Sequence, residues 1–185
     1  MLLFFAIVAH LVSAVHLAGP PIIVEYVYFE VLEPYEIGYV YRCLPAKNFG
    51  SYLMTKYDAV ALVPTDPVDS CSSLRNRYSI AGSVALATRG GCSFMSKAIV
   101  AEQHGAVAII IADNDEDNES YWIDMIGDET ERDVTIPAMF LLGTDGREIK
   151  RALKNNHMSE ALISIPINMT NNPRLFLRET PWTLR

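Results

Sequence analysis

The sequence predicts a mixed α/β domain whose strands are joined by βαβ crossovers. An apolar run of strand length at 83–88 is followed from Ser93 by a helical period of about 3.6, and then by a second apolar run at 106–112. Nearly the same order of strand, helix and strand returns between residues 136 and 167. Such units predict parallel strands with a right-handed crossover.

Strand-like runs rich in Val, Ile and Tyr precede these units, at 22–32 and 38–44, and a Glu-Pro pair separates them. We expect these two strands to be antiparallel. A further short strand is predicted at 59–63. Residues 64–79 then have the composition of a long surface loop.

The first predicted helix begins after Ser93, which can cap it, and ends at Gly105. Lys97 and Glu102 are predicted to face solvent. The inner face is predicted to carry Phe94, Ala98 and Ala101, with Met95 and Ile99 beside them.

The second predicted helix is expected to be capped by Thr144. Its predicted inner face carries Ile149, Ala152 and Leu153. Pro166 indicates that the last strand, 161–167, ends there or lies at an edge. The tail, 171–185, either packs along the domain or extends from it as a peptide.

The first 14 residues are typical of a cleavable signal peptide. The apolar run at 2–12 is too short for a membrane span, which needs about 20 residues. Small residues at Val12-Ser13-Ala14 predict cleavage after Ala14, with Ala18 as the second choice. The alternative is a buried N-terminal strand or helix. We expect a secreted protein with one domain at 15–170, its core at about 59–167, and no membrane span in the mature chain.

Charge is concentrated in one part of the chain. The 185 residues carry a net charge of −7, and ten of the 22 acidic residues lie at 113–133 with a single base, Arg132. The rest of the chain has 14 bases against 12 acids. Binding of nucleic acid is not expected, because the sequence has no basic segment to neutralise phosphates.

Three cysteines allow three pairings in an oxidising compartment. Cys71 with Cys92 is the preferred pair, because both lie in polar, turn-like segments. Cys43 lies in a strand-like run, where a free thiol behaves as a small buried hydrophobic group. Two sequons, Asn118-Glu119-Ser120 and Asn168-Met169-Thr170, predict N-glycosylation at Asn118 and Asn168 in solvent-open loops.

Candidate catalytic residues are few. The segment Gly91-Cys92-Ser93-Phe94-Met95 turns from strand to helix like a nucleophile elbow but lacks the closing glycine. A small hydrolase using Cys92 or Ser93 with His104 is the first alternative function. A disulfide and a helix cap explain the same residues more simply.

A calcium-dependent module is the second alternative. Asp113, Asp115 and Asp117 fall at loop positions one, three and five, and Asp124 falls at position twelve. Asn118 stands where a calcium loop needs glycine, and position twelve is not the usual Glu. A solvated acidic loop is therefore the preferred interpretation, and the sequence predicts no metal site and no cofactor.

The segment 83–113 resembles the core of a protease-associated (PA) domain. The resemblance lies in Arg89-Gly90-Gly91-Cys92-Ser93-Phe94, Lys97, the short helix and the apolar strand after Gly105. The strand at Ile136-Pro137-Ala138 and the helix after it also match the pattern. Cys43 is not part of it.

This resemblance implies a swivelling β/β/α fold without catalysis. PA domains accompany peptidases, receptors and membrane-bound ubiquitin ligases, where they are thought to bind peptides or proteins or to restrict substrate access. The chain is therefore expected to be an interaction or regulatory module whose partner is an unidentified protein or peptide. The resemblance implies a groove beside Arg89, Gly90 and Gly91. Asp115, Glu116 and Asp117 are expected to border it and to favour a basic ligand.

Overall fold

A seven-stranded closed barrel forms the body of the described chain. The computed structural model describes residues 25–170 and 173–182. Around the barrel the strand order is β1-β2-β6-β5-β4-β3-β7. The strands are β1 (Val27–Glu33), β2 (Val40–Pro45), β3 (Tyr57–Pro64), β4 (Val84–Thr88), β5 (Ala108–Ala112), β6 (Ala138–Leu141) and β7 (Ala161–Ile165). The α-helices are α1 (Arg77–Ile80), α2 (Phe94–Gln103) and α3 (Gly143–Asn155), and 3₁₀ helices lie at Tyr35–Ile37 and Pro173–Arg178.

Strand pairing confirms the mixed α/β class. The four neighbours β3, β4, β5 and β6 are parallel, and α2 lies between β4 and β5 in the chain. As expected, β1 and β2 are antiparallel. The prediction that the second unit repeats the first is wrong, because β7 pairs antiparallel with β1 and β3 and closes the barrel there instead of lying beside β6. The strand ends just before Pro166, as predicted.

The core has two parts, which follow the alternation of side chains along each strand. In β5, Ile110 belongs to a cluster that draws residues from all seven strands and so fills the barrel, whereas Ile109 and Ile111 belong to the other cluster. The inner face of α3 joins the first cluster, as predicted, and α2 covers the second. Because β5 is buried on both faces, it reads as an unbroken apolar run.

The two long helices begin differently. Ser93 caps α2 as predicted, since its hydroxyl oxygen accepts from the Ser96 backbone N–H at 3.1 Å. The predicted cap at Thr144 is wrong. The N-cap of α3 is Leu142, and Thr144 lies buried in the first turn, where its hydroxyl donates to the Glu116 carbonyl.

The prediction that Lys97 faces solvent is also wrong, because its side chain is fully buried. Helical periodicity places Lys97 away from the Ala98 face, but the loop after β3 covers that side of α2. Its ammonium group donates to the Asp69 carbonyl in that loop and to the Gly90 carbonyl in the turn after β4.

In the described part of the C-terminal tail, residues 173–182, the chain packs along the domain, which is the first of the two alternatives. Arg178 forms an ion pair with Glu30, and the Trp182 ring packs edge-on against Tyr39 with centroids 5.2 Å apart. The predicted signal segment, 1–14, lies outside the described residues. Within those residues, no helix has both the length and the apolar character needed to cross a bilayer.

Candidate functional site

The barrel has two ends of different chemistry. The carboxyl end is the one where the parallel strands β4, β5 and β6 finish, at Thr88, Ala112 and Leu141. The amino end is the one where they begin. Because β1 runs parallel to β6 while β2 and β7 run the opposite way, the start of β1 and the ends of β2 and β7 also lie at the amino end.

A buried carboxylate organises the carboxyl end. Asp113 follows β5, and Arg89, which follows β4, donates to its Oδ1 at 3.0 Å. Asn118 donates to the other oxygen at 2.7 Å. Asp113 therefore joins the glycine turn (Arg89-Gly90-Gly91) to the acidic segment, residues 113–118. The prediction that Asp115, Glu116 and Asp117 border a groove beside this turn stays a prediction.

The expectation that Asn118 is open to solvent is wrong. Its side chain is only 8% exposed, and its Nδ2 donates both to Asp113 and to the Tyr121 carbonyl. A glycan on Nδ2 would replace one of these hydrogen bonds. Glycosylation at Asn118 stays a prediction. Asn168, after β7, is exposed, as its own predicted glycan requires.

The acidic segment is held against the start of α3. The Thr144 backbone N–H donates to the Asn118 carbonyl at 3.2 Å, and Arg147 pairs with Asp117 at 2.6 Å. A Cβ added to Gly143 would lie 1.7 Å from the Asp115 carbonyl oxygen, so only glycine permits this contact. Asp115, Glu116 and Asp117 are exposed. A basic ligand at this surface stays a prediction.

The predicted disulfide ties the loop after β3 to the glycine turn. Cys71 and Cys92 are bonded with their Cα atoms 5.8 Å apart, and Cys43 is free and buried, as expected. The buried Lys97 ammonium reinforces the junction. It donates to the Asp69 carbonyl at 2.6 Å, to the Gly90 carbonyl, and to Cys71 Sγ at 3.2 Å.

A second buried carboxylate, missed by sequence reasoning, lies in the first turn of α3. Burial raises the pKa of Asp145 to about 7, although hydrogen bonds from Trp182 and Thr180 and the charge of Arg42 oppose the shift. Trp182 Nε1 donates to its Oδ1 at 2.8 Å. The sequence carried no signal for this contact, because the two residues lie 37 positions apart.

An open groove of about 1310 Å³ lies at the amino end. Tyr52 and Met54, in the loop between β2 and β3, are 85% and 88% exposed. Among the described residues that line the groove, only Glu25 and Lys56 are charged. None of the six residues predicted to bind a partner lines it. Its apolar and aromatic lining includes Tyr26, Tyr28, Tyr52, Leu53, Met54 and Met169.

The residues of the alternative hydrolase are not brought together. Cys92 is in the disulfide, and the Ser93 hydroxyl donates to Asp128. His104 closes the far end of α2, about 16 Å from Ser93 at 1.5 Å per residue, and its Nε2 lies 3.2 Å from the Leu74 backbone nitrogen.

Most of the proposed calcium ligands are engaged in ion pairs. Asp113, Asp117 and Asp124, three of the four proposed ligands, are paired with Arg89, Arg147 and Lys47 respectively. Over residues 25–170 and 173–182, no group of three or more His, Cys, Asp or Glu side chains is placed to hold a metal ion.

Comparisons with known proteins agree with the geometry. The profile of the PA domain matches residues 55–149. A PRADC1-like protein of Drosophila melanogaster is 42% identical over 158 residues, which cover 84% of this chain and 81% of that protein. Signal peptide peptidase-like 5 of Arabidopsis thaliana is 32% identical over 135 residues, 71% of this chain but only 24% of that protein.

Among solved structures, a zinc aminopeptidase from Bacillus subtilis superposes with a TM-score of 0.52 at 18% identity. The match covers 77% of this chain and 29% of the aminopeptidase. At this identity the likeness concerns the fold alone.

Proposed function

This chain belongs to the PA domain family, and from that membership we propose that it acts as a secreted, N-glycosylated binding module for a protein or peptide, without catalysis of its own. From the same membership we propose that the fold is of the swivelling β/β/α type and that the crossover between β4 and β5 is right-handed. Cys92 is in a disulfide, the Ser93 hydroxyl is hydrogen-bonded to Asp128, and His104 lies at the other end of α2. This separation supports the absence of catalysis.

The open groove at the amino end carries the proposal. Clustered, exposed apolar side chains on a soluble domain mark interaction surfaces. Tyrosine offers a rigid amphipathic surface, and methionine adapts its shape to a partner. The groove supplies both, in Tyr52 and Met54.

The closed barrel restricts how a partner binds. Each of the seven described strands is paired on both sides, so a peptide cannot add a strand to a free edge. Recognition therefore depends on side chains in the groove. Among the described lining residues only Glu25 and Lys56 are charged, so the groove fits a weakly charged, apolar segment of an extended polypeptide.

Secretion is supported by the signal-like first 14 residues and by a disulfide, which persists in oxidising compartments. Asn168 lines the groove, so a glycan there would adjoin the bound partner. The secreted protein is expected to begin near Val15, and its intact mass should fall after glycosidase treatment. An unchanged mass would contradict the glycans.

Binding is tested with an array of uncharged 12-residue peptides that contain Leu and Phe, probed with the secreted chain. Tyr52→Ser and Met54→Ser should each weaken binding roughly tenfold or more, as expected for exposed anchor residues. Tyr78→Ser is the matched control, because Tyr78 is 83% exposed but lies in α1, outside the groove.

Two results would contradict the proposal: an array that binds nothing, or an equal loss of binding in the Tyr78 variant. Binding by a chain that begins at Glu25, but not by one that begins at Val15, would instead make the chain's own N-terminal segment the occupant of the groove.

A further inference from the structure

Lys97 carries a buried charge whose surroundings are unusual. All three donors of its ammonium group have an acceptor, but two of these are backbone carbonyls and the third is Cys71 Sγ of the disulfide. Among the described residues, Lys97 forms no ion pair with a carboxylate. Buried charges are normally paired with an opposite charge, because their desolvation is costly.

Opening of the disulfide would place an anion in direct contact with this ammonium, in addition to the nearby Asp69 carboxylate, which already favours its charge. A thiolate on Cys71 would lie against the Lys97 ammonium, where the sulfur is already 3.2 Å from Nζ. Cysteines beside lysine have a lowered thiol pKa, and a thiol of low pKa is the better leaving group in disulfide exchange. The carboxylate of Asp69 opposes this effect, since it accepts from the Cys71 backbone N–H.

The segment around the other cysteine is accessible to solvent. Cys92 is partly exposed, and the two residues before it, Gly90 and Gly91, are exposed. Cys71 is also only partly exposed, so the choice of Cys92 as the attacked sulfur rests on the contact between Lys97 and Cys71.

We propose that the Cys71–Cys92 disulfide is a site of thiol exchange, in which an incoming thiolate attacks Cys92 and Lys97 stabilises the thiolate that departs from Cys71. A bond forms between the incoming sulfur and Cys92 Sγ, the bond between Cys92 and Cys71 breaks, and its electron pair remains on Cys71. The co-reactant is a low-molecular-weight thiol or the thiol of an oxidoreductase. A second thiolate completes the reduction by releasing Cys92.

The same lysine explains how the site could open without unfolding. Its ammonium donates to the carbonyl of Asp69 on the loop side and to that of Gly90 on the turn side. Both segments therefore stay joined after the sulfur bond is broken, and the disulfide can form again from a nearly native arrangement.

A competing effect makes the direction of attack testable. Cys92 lies just before α2, and the partial positive charge of a helix start, about half a unit, favours a thiolate on Cys92. The full charge of Lys97 in direct contact with Cys71 outweighs it.

The experiment uses the native, oxidised protein and glutathione, followed by rapid alkylation with iodoacetamide and peptide mapping. Glutathione is expected on Cys92 and the alkyl group on Cys71. Cys43 is the internal control, because it is fully buried and burial raises the pKa of its thiol. Glutathione found mainly on Cys71, or equally on both, would overturn the proposal.

Lys97→Met should slow the exchange roughly tenfold, the loss expected from about 1.4 kcal/mol in a barrier. Lys97→Arg keeps a positive charge and should exchange faster than Lys97→Met. Equal rates in folded samples of both variants would overturn the role of Lys97. If neither variant folds, the pKa of Cys71 in the reduced wild type decides, measured from its alkylation rate against pH. A pKa below about 8.5 supports the proposal, and one at or above it overturns it.

Discussion

The two ends of the barrel differ in the side chains that they bury and in those that line a groove. At the carboxyl end, ionisable side chains such as Asp113, Lys97 and Asp145 are buried and hydrogen-bonded. At the amino end, Tyr52 and Met54 expose apolar surface to solvent. The family motif lies at the first end, and the groove lies at the second.

This difference indicates that the PA motif is primarily a structural junction. Its glycines, cysteine and lysine hold two loops and a helix start together. The exposed lining residues of the groove, Tyr52 and Met54, in contrast, belong to neither cluster of the core. If this interpretation is right, substitutions at the carboxyl end should cost stability, and substitutions at the amino end should cost binding.

One of the two largest losses of stability is expected from Gly143→Ala. The new Cβ would lie 1.7 Å from the Asp115 carbonyl oxygen, so the acidic segment or α3 must move. We expect a loss of about 3 kcal/mol in the free energy of unfolding, measured by denaturant titration. Gly127→Ala is the control and should change it by less than about 1 kcal/mol, because its nearest neighbour is the end of Met95 at 3.4 Å. Equal losses would show that the acidic segment is not held against α3.

The second effect is that of the disulfide. Replacing both Cys71 and Cys92 by Ser opens a link between residues 21 positions apart, which should cost about 3 kcal/mol in the chain-entropy picture. The variant and the reduced wild type should have the same melting temperature. A variant as stable as the oxidised protein would show that Lys97 alone holds the junction.

Sequence reasoning reached the local features of the fold. It predicted β4, α2, β5 and the cap at Ser93, because each depends on residues close in the chain. It predicted the disulfide and the buried Cys43 from the local character of the segment around each cysteine. It failed for Lys97 and Asn118, whose burial depends on loops that fold over them. It also missed the pairing of β7 and the groove, since barrel closure brings together segments as distant as Tyr52 and Met169.

The third prediction concerns the buried Asp145, whose pKa of about 7 lies above its usual value of 3.8. An acid with a raised pKa in the folded state stabilises the fold fully below the unfolded pKa, and this stability is lost as the pH rises through about 7. Unfolding between pH 5 and 8 should therefore show a loss on the order of 2 kcal/mol.

Asp145→Asn is the matched variant, because its Oδ1 can still accept from Trp182 but cannot ionise. Its stability should change much less over the same pH range. A slope identical to that of the wild type would assign the pH dependence to other groups.

The smallest effect on stability is expected from Asp115→Asn with Glu116→Gln. Both side chains are exposed, so the free energy of unfolding should change by less than about 0.5 kcal/mol. Asp117→Asn is the comparison, since it also removes the contact with Arg147, worth at most about 1 kcal/mol at the surface.

The same double variant tests whether the carboxyl end binds a partner in addition to stabilising the fold. A Lys-rich 12-residue peptide should bind the wild type at low salt, and the affinity should fall as salt rises, because the Debye length shrinks from about 10 Å at 0.1 M to 3 Å at 1 M. The double variant should bind it more weakly, whereas peptides in the groove should keep their affinity, because that site has little charge. If the Lys-rich peptide binds both proteins equally at every salt concentration, the acidic segment is only a solubilising surface, and partner binding belongs to the amino end alone.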